Sequence, residues 1–263
     1  MGYGVDTSYV NMLGLRVGAM DMVRAQNAAF PTHFDRVRQP AWSYQSGTYS
    51  FYSYSKPEIL LRTLENYLGE ETMARVMRTY HERWRFRHPS SDDFYAVANE
   101  VSGRDLTWFF KQAVEGRETL DYEIGSVAVR PVRNPVGYVE QKGQRRLVSQ
   151  KDEDARGNDK GPFESTVLVR RLGDFVFPVT IGLRFEGKPL ERVAWDGRDR
   201  WKKLTYTRPE KLEWAEVDPD RKVLLDRNWS NNGQRVKADG RVAAAWSARW
   251  VFWMQQLVAS VGW

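Results

Sequence analysis

The sequence predicts an α+β protein: a helical bundle segment followed by a small antiparallel β-sandwich and a C-terminal aromatic helix. Three observations carry this. Between Ser55 and Gly116, apolar residues recur at helical spacing and are punctuated by capping residues and glycines. Beyond Leu120 the period falls to two, with Gly-containing turns between short runs. Near the end stands an uninterrupted apolar run, Trp250-Val251-Phe252-Trp253-Met254.

Taken in order, Met12, Leu15, Met20 and Val23 predict a helix from about Asn11 to Ala28. Phe30 to Tyr54 is rich in Pro, Gly, Ser and aromatics and reads as an irregular loop. Ser55 with Glu58 forms a capping-box pattern, and Pro57 is tolerated in a first turn. Ile59, Leu60, Leu64 and Tyr67 then make one apolar face, and Gly69 stops it. Glu70 and Glu71 suit the positive end of a second helix, whose stripe is Met73, Val76, Met77 and Tyr80. Ser90 or Ser91 caps a third, with Phe94, Val97, Ala98 and Val101 inward and Gly103 closing it. Asp105 caps a fourth through Trp108, Phe109 and Val114, ending at Gly116.

Strands follow at Tyr122 to Pro131, Thr166–Arg171, Phe175–Phe185, Glu191–Trp195, Lys202–Tyr206 and Leu212–Val217. Residues 140–163 are charged and poor in apolar side chains, which predicts a long mobile loop or hairpin tip. The domain organisation expected is therefore 1–119 helical, 120–230 sandwich, and 231–263 linker and terminal helix. For that helix a docked position on the sandwich or bundle is the first expectation. Contact with a membrane surface through 242–263 is the second, because Trp and Arg suit a lipid interface and the apolar run is far below the ~20 residues a span needs.

Composition excludes several classes. Forty Lys and Arg against 34 Asp and Glu leave a mild charge of +6, mixed with acids throughout, so no nucleic-acid partner is expected. The loop bases Lys142, Arg145, Arg146, Lys151 and Arg156 alternate with Asp152, Glu153 and Asp154, a solvated pattern. Without cysteine there is no disulfide scaffold, thiolate metal site or thiol nucleophile. Asp196, Asp199, Asp218, Asp220 and Asp226 lie at turns without calcium-loop spacing. The start, Met1-Gly2-Tyr3-Gly4-Val5-Asp6, lacks the basic and apolar runs of a signal peptide. No compartment follows from any of this.

An ordered series of short motifs is more specific. Tyr54-Ser55-Lys56, Leu60, Leu64, Tyr67-Leu68-Gly69 and Tyr80 are followed by Arg85-Phe86-Arg87-His88-Pro89 and Ser91-Asp92-Asp93-Phe94. Val101-Ser102-Gly103-Arg104-Asp105-Leu106 and Trp108-Phe109-Phe110 complete it. The series, over about residues 45–230, resembles aminopeptidase N-like zinc peptidases of the gluzincin class. The resemblance implies helices that follow a zinc site, with a sandwich appended to the catalytic domain. It also implies that Tyr54 is the residue whose phenol hydrogen-bonds the oxyanion formed on the peptide carbonyl. Tyr49 matches a second tyrosine that some relatives place in the same pocket, and Tyr52 competes if the register slips. Where relatives commonly have Gly after the Lys, this chain has Pro57.

The zinc ligands of that family, H-E-x-x-H plus a Glu on the next helix, are not in the sequence. Of three histidines, His81-Glu82 begins the pattern but Arg85 stands at the second ligand position, His88 comes seven residues after His81, and His33 is alone in a loop. The G-x-M-E-N amine anchor is missing too. The expectation is no metal or other cofactor held by this chain, with zinc belonging to the complete family enzyme. A peptide would be a substrate only if a zinc-bearing segment completes the cleft. A truncated or split gene product explains this first and a degenerate homologue second; a non-catalytic scaffold or membrane-surface module is the alternative function.

Overall fold

The computed structural model describes residues 8–12, 15–29, 34–133, 136–141, 143–149, 161–237, 247 and 250–256. Its order is β1 (Ser8–Met12), β2 (Leu15–Gly18), α1 (Ala19–Ala29), α2 (Lys56–Leu68), α3 (Glu70–Trp84), α4 (Ser91–Ser102) and α5 (Thr107–Phe110). Strands β3 (Tyr122–Pro131), β4 (Gly137–Gln141), β5 (Gln144–Val148), β6 (Phe163–Arg171), β7 (Val179–Phe185) and β8 (Glu191–Trp195) follow. β9 (Trp201–Arg208), β10 (Leu212–Val217) and β11 (Gly233–Arg235) complete the sheets, and α6 covers 250–256. The mixed α+β class read from the sequence is the one observed.

The first helix differs from expectation. Ser8–Met12 and Leu15–Gly18 are strands, with Met12 opposite Leu15 in an antiparallel pair, and the helix begins only at Ala19. The three-residue spacing of Met12 and Leu15 fits a helix as well as two paired strands. α1 docks through Asn27, whose Nδ2 donates to the Leu225 carbonyl at 3.2 Å. Arg24 also lies over the Trp229 ring, and burial pulls its guanidinium down to about 9, partly offset by Asp218.

The next three helices follow their capping residues. Gly69, at φ 91°, ends α2 with its N–H on the Glu65 carbonyl and begins α3 in the same residue. Ser90 and Asp93 make a reciprocal capping box, and Gly103 is left-handed at the end of α4. Ile59, Leu60, Leu64, Val76, Val97 and Ala98 are buried where these helices meet, each large aliphatic contributing about 1.5–3 kcal/mol. Met77, expected inside, is exposed, while Tyr80 is half-buried against Phe94. Arg83 bridges α3 to α4 by a bidentate pair with Glu100 at 2.6 and 2.7 Å.

Two antiparallel sheets build the sandwich, one in the order β3-β6-β9 and the other β11-β10-β7-β8. Register places Val127, Val167 and Leu204 in one row. Val167, Val169, Ile181, Leu183, Phe185, Leu212 and Ala215 fill the space between the sheets. The region from 140 to 163 is partly a hairpin, since β4 and β5 pair with Gln141 opposite Gln144; residues 150–160 lie outside the described part.

The expected strand at Phe175–Phe185 starts only at Val179. Pro178 has no N–H for a ladder, and Val176 pairs with a side chain instead: its N–H donates to Gln112 Oε1 at 2.8 Å and its carbonyl accepts Gln112 Nε2 at 3.3 Å. Phe175 and Phe177 are thereby aimed at Trp108 and Phe109 of α5, with ring centroids 5.8–6.1 Å apart. One continuous apolar core consequently runs from the helices into the sandwich. At this seam Gly173 sits so close to the Thr119 carbonyl that an added Cβ would come within 1.8 Å.

Candidate active-site tyrosines

The segment before α2 is built by local hydrogen bonds rather than left irregular. Asp35 is buried; its Oδ2 accepts Thr48 Oγ1 at 2.5 Å and the Gln45 N–H at 3.2 Å, and its Oδ1 accepts Gln39 Nε2 at 2.9 Å. Burial works to raise this carboxyl, but the three donors outweigh it and hold the pKa below the usual 3.8. The Tyr44 hydroxyl donates to the Val37 carbonyl at 2.8 Å. Arg38 then ties the loop down: its N–H reaches the Val114 carbonyl at 3.0 Å, and its guanidinium grips Asp92 at 2.7 and 2.8 Å and Glu115 at 2.8 Å.

On this platform the chain turns helical at Tyr49, not at Ser55 as the capping pattern predicts. Ser55 has helical dihedrals and makes no side-chain cap. Residues Phe51–Ser55 form a widened turn in which the Lys56 N–H bonds the Phe51 carbonyl, five residues back. Pro57 explains the widening, because it donates no N–H and its ring crowds the carbonyl of Ser53. In an ordinary α-helix, residues five apart diverge by roughly 140°. Here the wide turn brings Tyr49 and Tyr54 to one side, with ring centroids 6.5 Å apart and edge-on. Tyr49 also meets Tyr44 edge-on at 5.5 Å.

Exposure separates the three candidate tyrosines. Tyr54 is 69% exposed and Tyr49 44%, whereas Tyr52 is 0% exposed. Burial raises the Tyr52 phenol, partly offset by the backbone amides of Asp35 and Phe34. Tyr52 belongs to the core, so the competing register is not available to an outside substrate. Tyr54 and Tyr49 are accessible from outside.

Sequence reasoning quoted Lys56 only as part of a motif, yet it is among the most unusual groups in the chain. Its side chain is buried, with Nζ 4.9 Å from the Tyr52 ring centroid. Desolvation lowers its pKa to about 8, and Glu118 works against that. A lysine on the inner side of an otherwise apolar helix start was the available signal. Chemically, the segment offers two exposed tyrosines side by side and, against the buried Tyr52 ring, a buried and weakly basic ammonium.

Of the described histidines, His81 is exposed on α3 with Arg85 four residues on and His88 is exposed beyond the helix end; His33 lies outside the described residues. Among the described residues no group of three or more His, Cys, Asp or Glu is placed to hold a metal.

A second titratable centre lies at the seam. Asp226 is buried; it accepts Asn232 Nδ2 at 2.9 Å, the Asn228 N–H at 3.1 Å and the Tyr122 N–H at 3.4 Å. Burial pushes it from 3.8 to about 7, its hydrogen bonds opposing and nearby Asp121 adding to the rise. The folded state thus holds a proton that the unfolded chain has lost between these two values, so stability falls as pH rises from about 4 to 7. Asp226→Asn is expected to flatten that decline in urea unfolding measured across the interval; an unchanged slope would remove the assignment.

No family model matches the chain. Over 65 residues, 23% of this chain and 7% of the relative, it is 32% identical to Aminopeptidase M1-D of Oryza sativa subsp. japonica. Among solved structures it is similar to Legionella pneumophila aminopeptidase A in complex with aspartic acid, with a TM-score of 0.43 and 11% identity. That match covers 79% of this chain and 22% of the other. The chain spans less than a tenth of the length of the curated relative, and its likeness is to an aminopeptidase at low identity and partial coverage.

Proposed function

We propose that the chain is the distal part of a zinc metallo-aminopeptidase-like protein of the gluzincin kind, inactive by itself. In this reading the helices α2 to α5 back a peptide-binding cleft, and the sandwich is its appended domain. Tyr54 donates its hydroxyl to the oxyanion that develops on the scissile carbonyl, and Tyr49 flanks it. An O–H aimed at developing negative charge lowers the barrier because it bonds the transition state more strongly than the neutral carbonyl. A phenol is suited to this, since it keeps its proton near neutral pH.

The observation that carries the reading is the placement of Tyr54 and Tyr49 side by side and accessible at the head of α2, within the motif series that resembles the family. Zinc, the general base and the grip on the substrate amine must come from polypeptide outside this chain. The DNA upstream of Met1 tests this. An in-frame or adjacent H-E-x-x-H segment is expected, and the joined product should hydrolyse a fluorogenic aminoacyl amide while the present chain does not. Peptidase activity or stoichiometric zinc in the 263-residue chain, or an upstream sequence without the motif, would overturn it.

A further inference from the structure

The described residues of α6 are exposed. Trp250, Val251, Phe252, Trp253 and Met254 are all exposed, Trp250 at 67%, and Gln255 and Gln256 are exposed after them. At ~100° per residue these five side chains point in every direction around the axis rather than along one stripe. A groove on a protein covers one side of a helix; five apolar side chains spread round the axis are satisfied only by a medium that surrounds them. Exposing this much contiguous aromatic surface to water is unfavourable and marks an interaction site.

Charge selects the medium. From Lys237 to Trp263 the sequence holds Lys237, Arg241 and Arg249 against Asp239 alone, and no acid follows Asp239. Arg249 directly precedes the apolar run, and two of the five apolar residues are Trp. Trp at the level of lipid headgroups, with Arg beside it, is the composition of an interface. Among the described residues no helix is long and apolar enough to cross a membrane.

We propose that residues 250–254 anchor the protein to an anionic lipid surface, their aromatic side chains entering the headgroup region, with the net basic charge of the sequence around them, Lys237, Arg241 and Arg249 against Asp239, favouring anionic headgroups. This stands independently of the peptidase reading. The test is flotation of the full chain with vesicles of phosphatidylcholine alone and of phosphatidylcholine with phosphatidylglycerol. Binding to the anionic vesicles is expected to exceed that to the neutral ones by roughly tenfold or more, given ~1 kcal/mol per basic residue. The triple variant Trp250→Ser, Phe252→Ser, Trp253→Ser should lose flotation while melting at the parent temperature, because those side chains are exposed. Arg241→Gln with Arg249→Gln should reduce the preference for anionic lipid by roughly tenfold or more. Flotation of the triple variant at parental levels, equal binding to both vesicle types, or no flotation of the parent each overturns the proposal.

Discussion

Tyr54→Phe, in the product joined to its zinc-bearing segment, is expected to lower kcat by about 10²–10³-fold, the cost of removing one oxyanion donor. KM should change little, because the hydroxyl bonds the transition state and not the ground state. Folding should be untouched: the hydroxyl projects from a residue 69% exposed, and the ring contact with Tyr49 survives in phenylalanine. Steady-state kinetics together with a thermal melt separate the two effects. A variant with parental kcat would sink the role assigned to Tyr54. Tyr49→Phe should cost less, since its place is beside the donor.

Phe109→Ala is expected to be among the most damaging single changes to stability. Its ring is fully buried where α5 meets the sandwich, within 6.1 Å (centroid to centroid) of Trp108, Phe110, Phe175 and Phe177. Truncation removes the transfer energy of the ring and leaves a cavity the surrounding aromatics fill poorly, a loss of about 3–5 kcal/mol. For a chain of this size that lowers the melting temperature by roughly 10 °C. Trp42→Ala, at a side chain 89% exposed, should change stability by about 0.5 kcal/mol at most. Equal melting of the two variants would mean that the helices and sandwich do not share a core at Phe109.

What the sequence disclosed depended on whether the deciding interaction was local. Gly69, Ser90 and Gly103 act on their own helix ends, and each was legible in its immediate neighbours. The strands Glu191–Trp195 and Leu212–Val217 span the residues expected of them. Phe175 to Pro178 misled because their partner, Gln112, is remote in sequence, and a side-chain amide replaced the expected ladder. Asp35 likewise shows its importance only once Gln39, Gln45 and Thr48 converge on it. The Ser55 capping pattern failed for another reason. Pro57 permitted a start but did not require one, and the helix had already begun on the Thr48 carbonyl, which accepts the Tyr52 N–H at 3.1 Å. That earlier start is what sets Tyr49 beside Tyr54, so the geometry of the candidate site was the least readable part.

The edge position of β11 has a mechanical meaning. This strand of three residues lies at the end of its sheet beside β10, with Gly233 opposite Glu216 and Arg235 opposite Trp214, and the Val236 N–H adds a bond to the Glu213 carbonyl at 2.9 Å. A force that peels the chain away from the sheet from its C-terminal side meets these bonds one at a time, Val236 first, and opens them like a zip. Such a pull is spent on the rim of the sandwich before it reaches β10 and, next in the sheet, β7.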